Sequence, residues 1–207
     1  MLFTLKNIKY STSERTILSV DSLNIEAGKH LLLLGQSGCG KTTLMNIMAG
    51  LLRPTDGDVV FQDTPYTGLS ENKLDNLRSN NFGFVFQKIH LIGHLSIEQN
   101  IALAQPTKDQ ARINTLIEEL ALTAQKQQKA RDLSVGEAQR VAIARAVANN
   151  PSVIFADEPT SALDDANTEK VMDLLFEQAE KTNATLIVAT HDARIKGRFT
   201  NILEMTS

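Results

Sequence analysis

Apolar runs bounded by turn residues alternate with helical spacings along the 207-residue chain. HLLLLG, SVIFAD and ATLIVATH are each too short for a helix and too continuous for a half-exposed strand, so they predict central strands of a buried parallel sheet. Toward the N-terminus, LFTLKNI and ILSVDSLNI flank the polar STSER, and GDVVFQD follows at 57–63; the three runs predict a small antiparallel lobe. Between them lie helical patterns. TTLMNIMAGLL is one, and DQARINTLIEELAL is a second, with Ile113, Leu116, Ile117 and Leu120 at i, i+3, i+4 and i+7. A third is TEKVMDLLFEQAEK, with Val171, Leu174, Leu175 and Gln178 expected on one side. Strand alternating with helix predicts an α/β fold. From about 88 to 148 no strand pattern appears, which predicts an inserted all-helical lobe within a single domain spanning 1–207.

The turn GQSGCGKTT joins HLLLL to the first helical pattern, and its Gly35, Gly40, Lys41 and Thr42 fit G-x-x-x-x-G-K-[ST] between a strand and a helix. Glycine lets the backbone of Gly35, Gln36, Ser37, Gly38, Cys39 and Gly40 fold tightly, so that successive N–H groups, continued by Thr43, point at phosphate oxygens at a helix N-terminus. Lys41 is then expected on the β and γ phosphates and the Thr42 hydroxyl on Mg²⁺. A plain strand-to-helix turn would account for the glycines but for neither the lysine nor the hydroxyl.

SVIFADE ends its apolar run with Asp157 and Glu158, at the sheet edge where ligands of such folds collect. Asp157 is expected to support Mg²⁺, and Glu158 to orient or deprotonate an attacking water. A DE pair after a strand is otherwise a solvated loop start or a helix cap; the glycine loop tips the reading toward chemistry. His191 ends ATLIVAT and is the candidate donor to a γ-phosphate, whereas His30, His90 and His94 read as structural.

Composition then narrows the setting. A hydrophobic content of 42%, a charged content of 22% and a net charge of −3 place the chain among ordinary globular proteins and give no reason to expect nucleic acid as a partner. One cysteine, Cys39, allows no internal disulfide and fits a reducing compartment. MLFTLKNIKY lacks the apolar core of a secretory signal, and no run approaches the ~18 apolar residues needed to span a bilayer. ARIKGRFTNILEMTS, after His191, leaves little room for a regulatory domain.

DLSVGEAQRVAIARA, Asp132 to Ala146, separates P-loop families. Here the chain resembles the nucleotide-binding subunit of ATP-binding cassette (ABC) transporters, whose signature LSGGQ precedes a helix. The resemblance extends over essentially the whole chain. It implies that Tyr10 stacks on adenine, that Gln87 of FGFVFQ is the Q-loop glutamine and a further Mg²⁺ ligand, that Ser161 to Asp164 form the D-loop, and that His191 is the switch histidine. LRSNNFGFVFQKIHLIGHLSIEQNIAL and FADEPTSALD are most similar to the branch containing lipoprotein-releasing and macrolide-export ATPases. Membership implies ATP and Mg²⁺ as cofactors, a homodimer closed by ATP, a separate transmembrane permease subunit, and a place on the cytoplasmic face of the inner or plasma membrane through that subunit. Ser134, Gly136 and Glu137 would close on the γ-phosphate held by the opposite copy. Independently of the resemblance, Ser134 and Glu137 have capping-box spacing, and a capped helix start beside Gly136 is an anion site. Tyr10 has an alternative as a strand aromatic covering the small lobe. Val135 stands where the family has glycine: it weakens closure if the position needs a positive φ, and changes little if it already begins the helix.

Ile89, Leu91, Ile92 and Leu95 are the expected docking surface for the permease, with core packing as the alternative. Two further functions stay open at this stage: a soluble ABC-type ATPase not coupled to transport, and an ATP-dependent dimerising scaffold with little activity. A P-loop kinase would have no use for the Leu133 to Arg140 motif.

Overall fold

A computed structural model describes residues 1–161 and 163–206. Four strands build the antiparallel lobe: β1 (Phe3–Ser11), β2 (Thr16–Ile25), β4 (Asp56–Phe61) and the two-residue β5 (Thr64–Pro65), in the order β2-β1-β4-β5. The second sheet holds β3 (Leu31–Gly35), β6 (Phe82–Val85), β7 (Val153–Asp157), β8 (Thr185–Thr190) and β9 (Asn201–Met205), all parallel, in the order β6-β7-β8-β3-β9.

Alternating residues of the parallel strands feed two separate apolar layers, as strand geometry requires. Leu31, Leu33, Val153, Phe155, Ile187 and Ala189 face the antiparallel lobe together with α1 (Lys41–Met48) and α2 (Glu71–Asn81). Leu32, Ile154, Ala156, Leu186 and Val188 face α3 (Ile97–Ala102), α4 (Gln110–Glu119), α5 (Val135–Val147) and α6 (Asp165–Lys181). Both faces are covered, which is why these strands read as continuous apolar runs. Phe3, Phe61, Phe82 and Phe155 tie the two sheets together, with ring centroids 4.9 to 6.3 Å apart.

Two parallel strands carry little pattern in the sequence. β6 is only FGFV, and its Gly83 sits so close to α5 that a Cβ there would lie 2.0 Å from the Ala146 carbonyl oxygen. β9, NILEM, is a half-buried edge strand and lacks a continuous apolar run. Between 88 and 148 the chain holds α3, α4, two short 3₁₀ turns and α5, with one isolated bridge between Ser96 and Lys129. The buried face of α6 is Thr168, Met172, Leu175, Gln178 and Ala179. Val171 and Leu174, expected on that face, are only partly buried; they turn toward α5 and line a cavity with Val135 and Ile143.

Candidate functional site

The loops that follow β3, β7 and β8 meet because those strands are neighbours, in the order β7-β8-β3, and end at the same sheet edge. A cavity of about 400 Å³ opens there. It is lined by Ser37, Gly38, Gly40, Lys41, Thr42, Thr43, Gln87, Glu158 and His191, all expected from sequence, and by Ile17, which was not.

The glycine loop turns with Gly38 at φ 86° and Gly40 at φ 97°, values that favour glycine. A Cβ at Gly40 would also press within 3.1 Å of the Ile17 carbonyl oxygen, so the antiparallel lobe abuts the loop directly. α1 then begins at Lys41 with no side-chain cap and no acidic residue in its first turn, leaving its N–H groups for an anion. The Lys41 ammonium is 5% exposed; it donates to the carbonyls of Gly35 (2.7 Å) and Gln36 (2.9 Å) and lies 3.8 Å from Glu158 Oε1. Cys39 is buried in the same turn, its N–H donating to the Gln36 carbonyl.

Thr42 Oγ1 donates to both Asp157 oxygens, at 3.2 and 3.0 Å. Burial pushes the Asp157 carboxyl above the usual range and the charge of Glu158 adds to this, while Thr42 and Lys41 oppose it. A divalent cation between hydroxyl and carboxylate would relieve that desolvation, and the donor set fits Mg²⁺, which takes one or two protein oxygens and completes its shell with phosphates and water. Among the described residues no group of three or more His, Cys, Asp or Glu side chains is placed to hold a metal by itself.

Glu158 follows β7 in a left-handed conformation, φ 48°, fixed by its N–H donating to the Ala189 carbonyl at 2.8 Å. Its carboxylate is 13% exposed. Thr190 Oγ1 donates to Oε2 at 2.8 Å, and His191 Nδ1 lies 2.9 and 3.0 Å from the two oxygens. A proton on Nδ1 satisfies that contact and leaves Nε2 for a ligand. The site therefore offers an anion cradle, a cation position and a carboxylate held by two side chains beside both.

Tyr10 is not brought to this cavity. It pairs with Leu18 across β1 and β2 and is partly buried, packed against the apolar layer between the sheets. β2, not β1, reaches the glycine loop, so Ile17 takes the wall position. Its sequence signal was the adjacent pair Ile17–Leu18 in a strand: with alternating faces, one of the two must point away from the core.

The helix start at 134–137 also stands apart from the cavity. Its capping box is complete: Glu137 N–H donates to Ser134 Oγ (3.3 Å), and the Ser134 N–H and hydroxyl donate to Glu137 Oε2 (2.8 and 2.6 Å). These bonds from Ser134 hold the Glu137 carboxyl below its ordinary range. A similar box, Ser96 with Gln99, starts α3. Val135 is the first residue of α5, has no positive φ, and is 70% exposed; Gly136 is exposed as well. The backbone here thus makes no demand that valine fails. Val135→Gly is expected to change ATP turnover by no more than about twofold, the range of an ordinary surface change. A tenfold rise in steady-state turnover would show instead that the valine obstructs closure. Of Ser161 to Asp164, Ala162 lies outside the described residues; Asp164 caps α6, accepting from the Asn167 N–H at 2.8 Å.

On the far side of Gln87 a larger groove of about 710 Å³ runs between the parallel sheet and the helices, walled by Leu51, Phe84, Phe86, His90, Leu103 and Arg145 among others. Leu51, Phe86 and Leu103 are 50%, 40% and 56% exposed. Ile89, Leu91, Ile92 and Leu95 do not line it, and Leu91 packs against the core.

Comparison with known proteins adds to this geometry. The sequence profile described as "ABC transporter" matches residues 18–161. The chain is 36% identical over 206 residues to the lipoprotein-releasing system ATP-binding protein LolD of Syntrophotalea carbinolica, covering 97% of this chain and 91% of that protein. It is 37% identical over 207 residues to the macrolide export ATP-binding/permease protein MacB of Mannheimia succiniciproducens, of which it spans only 32%. Among solved structures it resembles the dimeric, post-hydrolysis ATP-binding cassette MJ0796 bound to ADP and Pi, with a TM-score of 0.86 and 34% identity over 99% of this chain and 94% of that one.

Proposed function

Because this chain belongs to the ABC transporter family, we propose that its ATPase cycle is carried by the residues gathered around the glycine loop and is delivered to a separate permease that exports or extracts its cargo. The chain is an ATP-hydrolysing subunit that works as one of a pair. One observation carries the residue assignment: Lys41, Thr42, Asp157, Glu158 and His191, drawn from three loops, converge at one sheet edge.

In this reading the backbone N–H groups from Gly35 to Thr43 and the Lys41 ammonium bind the phosphates of ATP. Thr42 and Asp157, with Gln87 alongside, would hold Mg²⁺, which would supply neutralisation of the charge that builds on the phosphoryl oxygens. Glu158 orients and deprotonates the attacking water, and His191, steered by Glu158, donates to the γ-phosphate. Ile17 gives the nucleotide an apolar wall. Ser134 and Gly136, both exposed, and the partly exposed Glu137 lie outside the cavity of their own chain and complete the site of the second copy.

The domain is a single ABC ATPase domain over 1–207, its helical lobe at about 88–148. The exposed apolar side chains of the 710 Å³ groove support a permease contact there. Among the described residues no helix is long and apolar enough to cross a membrane, and we place the subunit on the cytoplasmic face of the inner or plasma membrane through its partner.

The test is ATP turnover and molecular mass of the purified chain with Mg²⁺, after chelation, and after Mg²⁺ is returned. Turnover should vanish and recover with the cation, and a dimer mass should appear with ATP. Turnover that survives chelation would refute the role given to Thr42 and Asp157.

A further inference from the structure

The loops after β7 and β8 are stitched together by a side chain with no part in the chemistry above. Arg194 lies in the short 3₁₀ turn Ala193–Arg198, three residues past His191. Its Nε and Nη2 grip the two oxygens of Asp192, at 2.8 and 2.7 Å. Nη1 pairs with Asp165, the first residue of α6, and Nη2 also donates to the Leu163 carbonyl at 3.3 Å. One planar guanidinium thus holds the turn beside His191 and the far end of the loop that begins at Glu158.

From Asp192 the bonds run inward to Glu158 itself. Thr160, fully buried, donates to Asp192 Oδ2 at 3.0 Å, and the Asp192 N–H donates to Thr190 Oγ1 at 3.0 Å. That same Thr190 hydroxyl donates to Glu158 Oε2 at 2.8 Å. The Asp192 side chain is only 10% exposed, and the Arg194 guanidinium holds its carboxyl down to about 2. Without the arginine, a nearly buried carboxylate would keep one hydroxyl and one backbone N–H and would move toward water, drawing Thr160 and the 190–192 turn with it. Stability does not account for the outer half of the clamp: Asp165 is 87% exposed, and exposed ion pairs contribute little.

We infer that Arg194 is a positioning residue for hydrolysis, clamping Asp192 and Asp165 so that the Thr160–Asp192–Thr190 chain holds the Glu158 carboxylate in its working place. The inference rests on the reading of Glu158 as the group that acts on water.

The experiment measures kcat and KM for ATP, together with thermal melting, for the full chain carrying Arg194→Gln, Arg194→Lys, Asp165→Asn or Glu158→Gln, and for Arg194→Gln combined with Glu158→Gln. Loss of placement at a reacting group should lower kcat of Arg194→Gln about tenfold with KM nearly unchanged. Arg194→Lys, which keeps the charge but not the fork, should recover part of the loss, and Asp165→Asn should lower kcat with no shift in melting. In the Glu158→Gln background Arg194→Gln should change nothing further. If Glu158→Gln keeps its turnover, the reading of Glu158 fails and this inference with it. If Glu158→Gln is inactive while the Arg194 and Asp165 variants keep wild-type kcat, the inference alone fails. It fails too if KM rises at constant kcat, or if each loss of rate matches a loss of folded protein.

Discussion

Glu158→Gln is expected to bind ATP as the wild type does and to turn it over about 10²- to 10⁴-fold more slowly, the usual contribution of a positioned general base. The amide keeps the size of the carboxylate and still accepts from Thr190, which lies 2.8 Å from Oε2, so the fold around it persists. It loses the capacity to take a proton. ATP then stays intact between two copies, and the ATP-bound dimer should persist by mass measurement, whereas in the wild type it decays as ATP is consumed. Wild-type turnover in this variant would remove Glu158 from the mechanism.

Lys41→Ala should fail one step earlier. The Lys41 side chain is almost fully enclosed and its ammonium is already hydrogen-bonded to two loop carbonyls, so in the proposed site it is held ready for the phosphates. Removing a charge-assisted donor costs about 1.5 to 3 kcal/mol, which is about 10- to 150-fold in the dissociation constant for Mg·ATP by calorimetric titration. Turnover and ATP-induced dimer mass should fall together, whereas Glu158→Gln separates them. Unchanged affinity would show that the loop holds nucleotide through its backbone alone.

The parts of this molecule that are legible in its sequence are those where residue type and local spacing decide the outcome. HLLLL, SVIFAD and TLIVAT announce buried strands because both of their faces are covered, and Gly40, Lys41, Thr42, Asp157, Glu158 and His191 meet because each stands at or just past the end of such a strand. The capping box of Ser134 and Glu137 is local too, and it forms as the spacing predicts. Where tertiary neighbours decide, the sequence is silent. β6 is a strand because it pairs with β7, and its Gly83 leaves room for α5; Ile17 rather than Tyr10 borders the cavity because β2 is the strand that abuts the loop; Val171 and Leu174 face α5 because the sheet takes the other side of α6. The Arg194 bridge joins residues 29 positions apart on separate elements, a pairing with no periodicity to betray it.

α5 is tied at two points along its length. Near its start, Gln139 donates to the carbonyl of Pro159, the residue after Glu158, at 2.7 Å. Near its end, Arg145 donates to the carbonyls of His90 and Ile89, at 2.8 and 3.1 Å, where His90 walls the groove. Six residues of straight helix separate the two ties, about 9 Å of stiff rod. α5 therefore bridges the loop after β7 and the wall of the 710 Å³ groove, so both are tied to one short stretch of helix.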